Sequence, residues 1–182
     1  MKNLVLLFSI MLFTSNCAGF KNSIKNGSFN ENNLNEIDGT YKNTPSSSTG
    51  VYVRSLTTVF DRNTNMFVFR EKYDNKKDLK LTLKMINQKS LNVKVSNSEN
   101  LLLDKNLKVK LKKDGFLYLK EKRLMIEGIP LAFGGLNVQK TRFTIDENHK
   151  LEVQSNYYFC NGFLIFMSDW KTIQHHLIFE KQ

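Results

Sequence analysis

This chain of 182 residues contains few of the residues on which many metal sites and small scaffolds depend. Two prolines and nine glycines exclude a proline-rich or collagen-like chain. Two cysteines and three histidines are too few for a zinc cluster or a disulfide framework. The apolar run from Leu4 to Phe13 is about half the roughly 20 residues with which a helix crosses a bilayer. We therefore expect no metal site and no membrane-spanning helix.

Acidic residues are also scarce, with 17 Asp and Glu against 27 Lys and Arg, for a formal net charge of +10. The acids are scattered singly, so paired-carboxylate chemistry has no basis. No phosphate-binding loop, nucleophile elbow, zinc-protease motif or calcium loop occurs. The sequence therefore predicts a protein without catalysis or cofactor. A hydrophobic content of 41% still allows the sizeable core of one domain.

The N-terminus has the features of an export signal. Lys2 precedes the short apolar run, and Thr14-Ser15-Asn16-Cys17 follows it. This arrangement resembles the lipobox of bacterial lipoproteins. The resemblance implies that residues 1–16 are a signal peptide, that Cys17 receives a diacylglyceryl group, and that the new amine is acylated. The alternative is an ordinary secretory signal that ends near a cysteine.

The resemblance also implies attachment to a membrane through the acyl chains on Cys17, because two or more chains anchor a protein durably. No acidic residue lies between Cys17 and Glu31. Acids near the cysteine are sorting marks in several lipoprotein classes, so their absence favours the periplasmic face of the outer membrane over the cell surface. Residues 17–38 are mostly polar, which predicts a flexible tether. Leu34 and Ile37 are compatible with one helical turn.

From residue 39 to 182 the sequence predicts one antiparallel β-domain, because apolar and polar residues alternate. The clearest alternation occurs in four segments: 79–85, 91–96, 107–112 and 151–159. Less regular strands are predicted at Val51–Phe60, Met66–Glu71, Phe116–Lys120, Leu124–Glu127, Leu136–Ile145, Phe163–Ser168 and Thr172–Phe179. We expect a meander of 8 to 10 strands. An up-and-down barrel is favoured, and a two-sheet sandwich is the alternative.

The start of this domain reads Ile37-Asp38-Gly39-Thr40-Tyr41. It resembles the opening Gly-x-aromatic motif of lipocalin-like domains, although Tyr41 stands where that family has Trp. The resemblance implies a calycin-type barrel with Gly39 and Tyr41 at its floor. The alternative is a simple turn that enters a strand.

Aromatic residues suggest what the domain binds. Those expected to face inward, together with one histidine, are Phe67, Phe69, Phe143, Tyr157, Phe159, Phe163, His175 and Phe179. In a wide barrel they line a cavity for a small apolar or amphipathic ligand, and in a narrow barrel or a sandwich they fill a solid core.

The adjacent His175 and His176 point to opposite faces if they lie in a strand, so they cannot easily chelate one metal. We expect His175 in the core. Cys160 is expected to be a small buried hydrophobe rather than a nucleophile.

Lysines mark the predicted outer face: Lys80, Lys84, Lys94, Lys108, Lys110 and Lys112. Such a face attracts anionic lipid or an envelope protein, or it is simply solvated. Nucleic acid is not expected, because the aromatics are not interleaved for base stacking. The predicted function is an exported, lipid-anchored binding module for a small ligand. The alternative is a structural lipoprotein with a solid core that acts through its basic face.

Overall fold

The structure is a computed structural model that describes residues 20, 26–49, 55–61, 71–73, 76, 78–98, 100–120, 123–129, 133–163 and 169–182. Side chains are described within these ranges except at residues 123–129, 133–137, 159–163 and 169–171. The predicted signal peptide, Cys17, Phe67 and Phe69 lie outside the described residues.

The described chain is dominated by β-strands. They are β1 Gly39–Lys42, β2 Ser47–Ser48, β3 Lys80–Asn87, β4 Ser90–Ser96, β5 Leu101–Leu111, β6 Leu117–Leu119, β7 Arg123–Ile129, β8 Phe133–Ile145, β9 Leu151–Phe163 and β10 Asp169–Phe179. A 3-10 helix covers Leu34–Ile37 and the short α-helix α1 covers Leu56–Phe60. No described helix is long and apolar enough to cross a membrane.

The strands form one sheet in the order β1-β3-β4-β5-β6-β8-β9-β10-β2, with β7 also paired to β8. Every pairing is antiparallel. Most strands therefore pair with their neighbours in sequence, which is the meander of an up-and-down β-barrel. The predicted all-β meander of 8 to 10 strands is confirmed.

Hydrogen bonds connect the first strand to the end of the chain. The Lys42 amide donates to the Glu180 carbonyl (3.0 Å), and the Gln182 amide donates to the Thr40 carbonyl (2.8 Å). Tyr41 forms an antiparallel bridge with Lys181 between them. Because β1 also pairs with β3, these bonds link the two ends of the curled sheet. Residues 180–182 are named here the closing segment.

Alternation along the strands places the core inside this curled sheet. Leu81, Leu83 and Met85 of β3 are buried, and so are Leu91, Val93 and Val95 of β4. The residues between them face outward. Burying one such side chain contributes about 1.5–3 kcal/mol, so the inner face is the main source of stability.

The segment before β1 packs against the sheet, which differs from the tether predicted up to Asp38. Phe29, Leu34 and Ile37 are all buried in the main core cluster. The Gly27 amide donates to the Asp114 carbonyl (2.7 Å). A Cβ on Gly27 would lie 2.2 Å from the Gly115 carbonyl oxygen, so only glycine permits this close approach. The single helical turn considered for Leu34 and Ile37 is present.

The predicted strand over Val51–Phe60 is wrong for its described part, because Leu56–Phe60 is helix α1. Ser55 caps this helix and accepts a hydrogen bond from the Thr58 amide (3.4 Å). The buried apolar residues Leu56, Val59 and Phe60 follow helical rather than strand spacing. Of the strand predicted at Met66–Glu71, residues 66–70 lie outside the described chain, and residues 71–73 are helical.

Hydrogen bonds to Asp61 join residues 71–73 to the end of α1. The Tyr73 hydroxyl donates to Asp61 Oδ2 (2.6 Å), and Lys72 Nζ lies 2.9 Å from the same oxygen. Burial raises the pKa of Asp61, but the hydrogen bonds from Lys72 and Tyr73 and the Lys72 charge together lower it below its ordinary value. Asp61 is therefore a carboxylate at neutral pH and joins the end of α1 to residues 71–73.

A separate strand from Phe163 to Ser168 requires a turn before it, and the sequence predicts that turn at Asn161-Gly162. This turn is wrong, because both residues lie inside β9. Asn161 pairs with Gly135 of β8 and with Asp169 of β10. Phe163 therefore ends β9 instead of beginning a separate strand. The connection from β9 to β10 falls in residues 164–168, which lie outside the described chain.

Candidate functional site

The inner faces of β8, β9 and β10 present aligned rows of side chains. Antiparallel register places Ile145, Leu151 and Phe179 in one row, and Phe143, Val153 and Leu177 in the next. These six residues are buried and apolar. The following row, by contrast, consists of Thr141, Ser155 and His175. These three residues are also buried, so the polarity of the interior changes abruptly between two adjacent rows.

Gln139 lies one row further along β8 and joins this group, which is named here the inner polar row. Its amide Nε2 donates to Ser155 Oγ (3.1 Å), while the hydroxyls of Thr141 and Ser155 lie 2.9 Å apart. Gln139 Oε1 is buried and has no hydrogen-bond partner within the described part of the chain. Because a buried acceptor without a partner costs free energy, this oxygen is available to a donor from a ligand.

His175 forms the β10 side of the inner polar row. It is 2% exposed, and the Tyr157 ring contacts it edge-on with the ring centroids 5.4 Å apart. Burial lowers the pKa of His175 below its ordinary value of 6.5. The imidazole is therefore neutral at neutral pH, when each ring nitrogen is either a donor or an acceptor.

The pKa of His175 predicts a loss of stability in mild acid. As the pH falls below 6.5, the unfolded chain takes up the proton before the folded protein does. The stabilisation is therefore complete above this pH and decreases below it. We expect the urea midpoint to fall between pH 7 and pH 5, and to fall less in His175→Gln. His149 is exposed and provides the control. In His149→Asn the urea midpoint should fall between pH 7 and pH 5 by as much as in the unchanged protein. An equal decrease in His175→Gln would contradict the assignment.

The residues predicted to line a cavity lie in different environments in the structure. Phe143, His175 and Phe179 are buried, and Tyr157 is partly buried against the core. The backbones of Phe159, Cys160 and Phe163 belong to β9, but their side chains lie outside the description. Phe143 and Phe179 lie within the apolar rows, so the structure places them in the packed core. Tyr157 and His175 are the predicted residues that contact one another at the inner polar row.

The residues predicted as a barrel floor lie where the sheet closes. Tyr41 is fully buried, and its hydroxyl donates to the Ile37 carbonyl (2.9 Å). Burial raises the pKa of Tyr41, so the phenol stays protonated and donates at every physiological pH. Gly39 pairs with Leu83 of β3 at the same end. Tyr41 therefore fastens the 3-10 helix to the base of the sheet.

The outer face of β8 and β9 is unusually well covered. Arg142 is 3% exposed and donates through Nε to Gln154 Oε1 (2.8 Å). Its guanidinium lies 3.9 Å from the Phe116 ring centroid and pairs with Asp114 (3.2 Å). These contacts compensate for much of the cost of the buried charge, although Nη2 has no hydrogen-bond partner within the described part of the chain. We assign Arg142 a structural role.

His176 occupies the outer face of β10, opposite to His175. It contacts the Glu152 carboxylate on the neighbouring strand. No group of three or more potential metal ligands occurs among the described residues.

All six lysines predicted on the outer face are exposed on or beside β3, β4 and β5. They are not equivalent, however. Lys94 pairs with Asp104 (3.2 Å), where hydrogen bonds from Asn92 and Lys94 lower the pKa of the carboxyl. Lys110 and Lys112 lie beside a cleft at the end of β5. The basic face therefore includes Lys94, which a carboxylate neutralises, and two lysines that border a concave surface.

Sequence reasoning missed Gln139, Thr141 and Ser155 because polar residues suggest an outward face. A signal was present, since Gln139 and Thr141 share the alternation that leads to the buried Phe143 and Ile145. Because alternate residues of a strand share one face, extending the pattern back from Phe143 would have placed Thr141 and Gln139 on the inner face.

No protein-family model, curated protein or solved structure matches this chain. The interpretation of the site therefore depends on the geometry of its own residues.

Proposed function

We propose that this chain is an exported, lipid-anchored binding module that holds a small amphipathic ligand within its curled sheet and performs no catalysis. The inner polar row is the observation that carries the proposal. Interior positions in a barrel that has only to fold are most simply filled with aliphatic side chains. Here two apolar rows are followed by Thr141, Ser155 and His175, with the unpartnered Gln139 oxygen beside them.

The arrangement favours a ligand with one polar end. Hydroxyl, amide and neutral imidazole groups bind either donors or acceptors without requiring a charge. Tyr157 and Ile173 lie in the row that contains Gln139 and supply apolar contacts beside the polar group. Ligand sites commonly combine such an apolar lining with a few polar groups that fix orientation.

The ligand is tested by native mass spectrometry of the full chain purified from its native host. We expect an additional mass that disappears on denaturation, and lower occupancy in Gln139→Leu. Thr172→Val is the matched control because Thr172 is exposed on β10, and it should keep full occupancy. Bare protein that also fails to bind an apolar fluorescent probe would indicate a solid core and remove the ligand proposal.

The anchor rests on the sequence resemblance at Cys17 and has a separate test. In Cys17→Ser we expect complete loss of fatty-acid labelling and release from the membrane fraction, because the acyl chains supply the attachment. Cys160→Ser is the matched control and should keep both properties. Unchanged labelling of Cys17→Ser would exclude the lipoprotein assignment. Fractionation of the labelled protein tests the proposed location at the periplasmic face of the outer membrane.

The second candidate is an envelope protein that acts through its basic outer face and has no internal ligand. The six exposed lysines on and beside three neighbouring strands favour it. The two functions are distinguished by the native mass measurement, since only the first gives protein with a bound small molecule.

A further inference from the structure

A cleft of about 510 Å³ opens beside the end of β5. Its apolar lining comes from Leu34, Val109 and Leu111. The charged residues around it are Glu31, Lys89, Lys110, Lys112, Lys113 and Lys120. We name these five lysines and this concave surface the lysine cleft.

The cleft results from the unequal lengths of β4 and β5. Pairing between them ends where Ser90 meets Lys108, followed by a hydrogen bond from the Val109 amide to the Lys89 carbonyl (2.9 Å). On its other edge β5 stays paired with β6 as far as Leu111. Residues 110–112 therefore extend beyond β4 and border an opening, which Glu31 and Leu34 also line.

The charge in this cleft is not balanced by the protein. Five lysines and one glutamate give a net charge of 5 − 1 = +4. Within the described part of the chain, none of the five lysines forms an ion pair with a carboxylate. Lysines elsewhere do: Lys42 and Lys150 both pair with Glu180, and Lys94 pairs with Asp104. The general excess of lysine in the chain therefore does not explain why five lysines without ion pairs lie together in the cleft.

Two nearby groups keep the cleft positive. Asp114 borders an adjoining hollow. Its carboxylate, however, already forms an ion pair with Arg142 (3.2 Å) and accepts a hydrogen bond from the Tyr118 hydroxyl (2.6 Å). Lys112 Nζ lies 3.7 Å from the centroid of the Tyr118 ring, and this cation–π contact restricts its position. A ligand in the cleft therefore meets Lys112 in a restricted position, while the nearby Asp114 carboxylate is already paired with Arg142.

We propose that the lysine cleft binds a phosphate-bearing ligand. Lysine ammonium groups are compact cations with three donors each, and phosphate supplies several charged acceptor oxygens. The apolar lining from Leu34 and Leu111 accommodates the uncharged part of such a ligand. This site lies at the end of β5 and shares no lining residue with the inner polar row.

The test uses the full chain with Cys17→Ser, which carries no acyl anchor, and two probes, inorganic pyrophosphate in titration calorimetry and phosphatidylglycerol vesicles in flotation, with neutral phosphatidylcholine vesicles as the reference. We expect saturable binding that weakens about tenfold or more in Lys110→Gln/Lys113→Gln, because each lost charged hydrogen bond is a substantial share of the affinity. The matched control Lys80→Gln/Lys84→Gln removes the same charge from exposed residues outside the cleft and should weaken binding less than about twofold. Circular dichroism checks that both variants keep their β-structure.

The outcomes separate the source of the phosphate. Binding of pyrophosphate without vesicles identifies a soluble phosphate compound, and binding of vesicles without pyrophosphate identifies a lipid headgroup. Binding of both, with competition between them, also supports the cleft. Binding of neither probe overturns the proposal, and so does equal weakening in the cleft and control variants, because the interaction is then a general effect of net charge.

Discussion

Replacing Phe143 by alanine is expected to lower the free energy of unfolding by about 3–5 kcal/mol, as for other buried phenylalanines. Phe143 is fully buried and lies between Leu117 of β6 and Val153 of β9 in the sheet register. Its ring also stacks on that of Phe60, with the centroids 5.3 Å apart and the planes at 27°. The variant therefore removes contacts with both the sheet and α1. Urea unfolding followed by circular dichroism measures the loss.

Ile86→Ala is the matched control for this prediction. Ile86 is 54% exposed on β3, so its truncation should change stability by less than about 0.5 kcal/mol. The pair Phe60 and Phe143 should show a coupling of about 0.5–1.5 kcal/mol in a double-mutant cycle. If Phe143→Ala lowers the free energy of unfolding no more than Ile86→Ala does, the placement of the Phe143 side chain in the core is incorrect.

Replacing Ile37 by alanine is expected to lower the free energy of unfolding by about 2–5 kcal/mol. Ile37 is fully buried, although it belongs to a polar segment that resembles a tether in the sequence. The Ile37 carbonyl also accepts a hydrogen bond from the buried Tyr41 hydroxyl. The cavity that the alanine substitution leaves therefore forms beside a hydrogen bond that fixes the base of the sheet. The same unfolding measurement applies.

The adjacent Glu36 provides the control, because it is exposed in the same helical turn. Glu36→Ala should leave stability nearly unchanged. A real tether contributes nothing to folding, so an unchanged unfolding midpoint in Ile37→Ala would restore the tether interpretation for this segment.

The sequence predicted β3 and β4 well because these strands have one face in the core and one face in solvent. Their alternating residues consequently differ strongly in polarity. The pattern is weaker in β8 and β9, where both faces are covered. Arg142 and Gln154 are buried on the outer face, while Thr141 and Ser155 are buried on the inner one. Polarity alone therefore does not distinguish the two faces there.

The remaining errors arose from contacts that are distant in sequence. A long polar segment with only scattered apolar residues predicts disorder, yet Phe29, Leu34 and Ile37 are buried in the core together with strands that follow much later. In α1, Thr57, Thr58 and Val59 are β-branched and favour a strand locally. A capping serine and helical spacing of the buried residues override that preference. The lysine cleft was equally hidden, because Lys89, Lys113 and Lys120 come together only through the pairing of β4, β5 and β6.

The closing segment has a consequence for how the protein reaches its native state. Lys42 and Glu180 are 138 positions apart in sequence, yet their side chains meet and their backbones pair. Such contacts give the fold a high contact order, and proteins of this kind fold in milliseconds to seconds. β1 therefore lacks its second neighbour until the closing segment, which lies far along the sequence, has been synthesised.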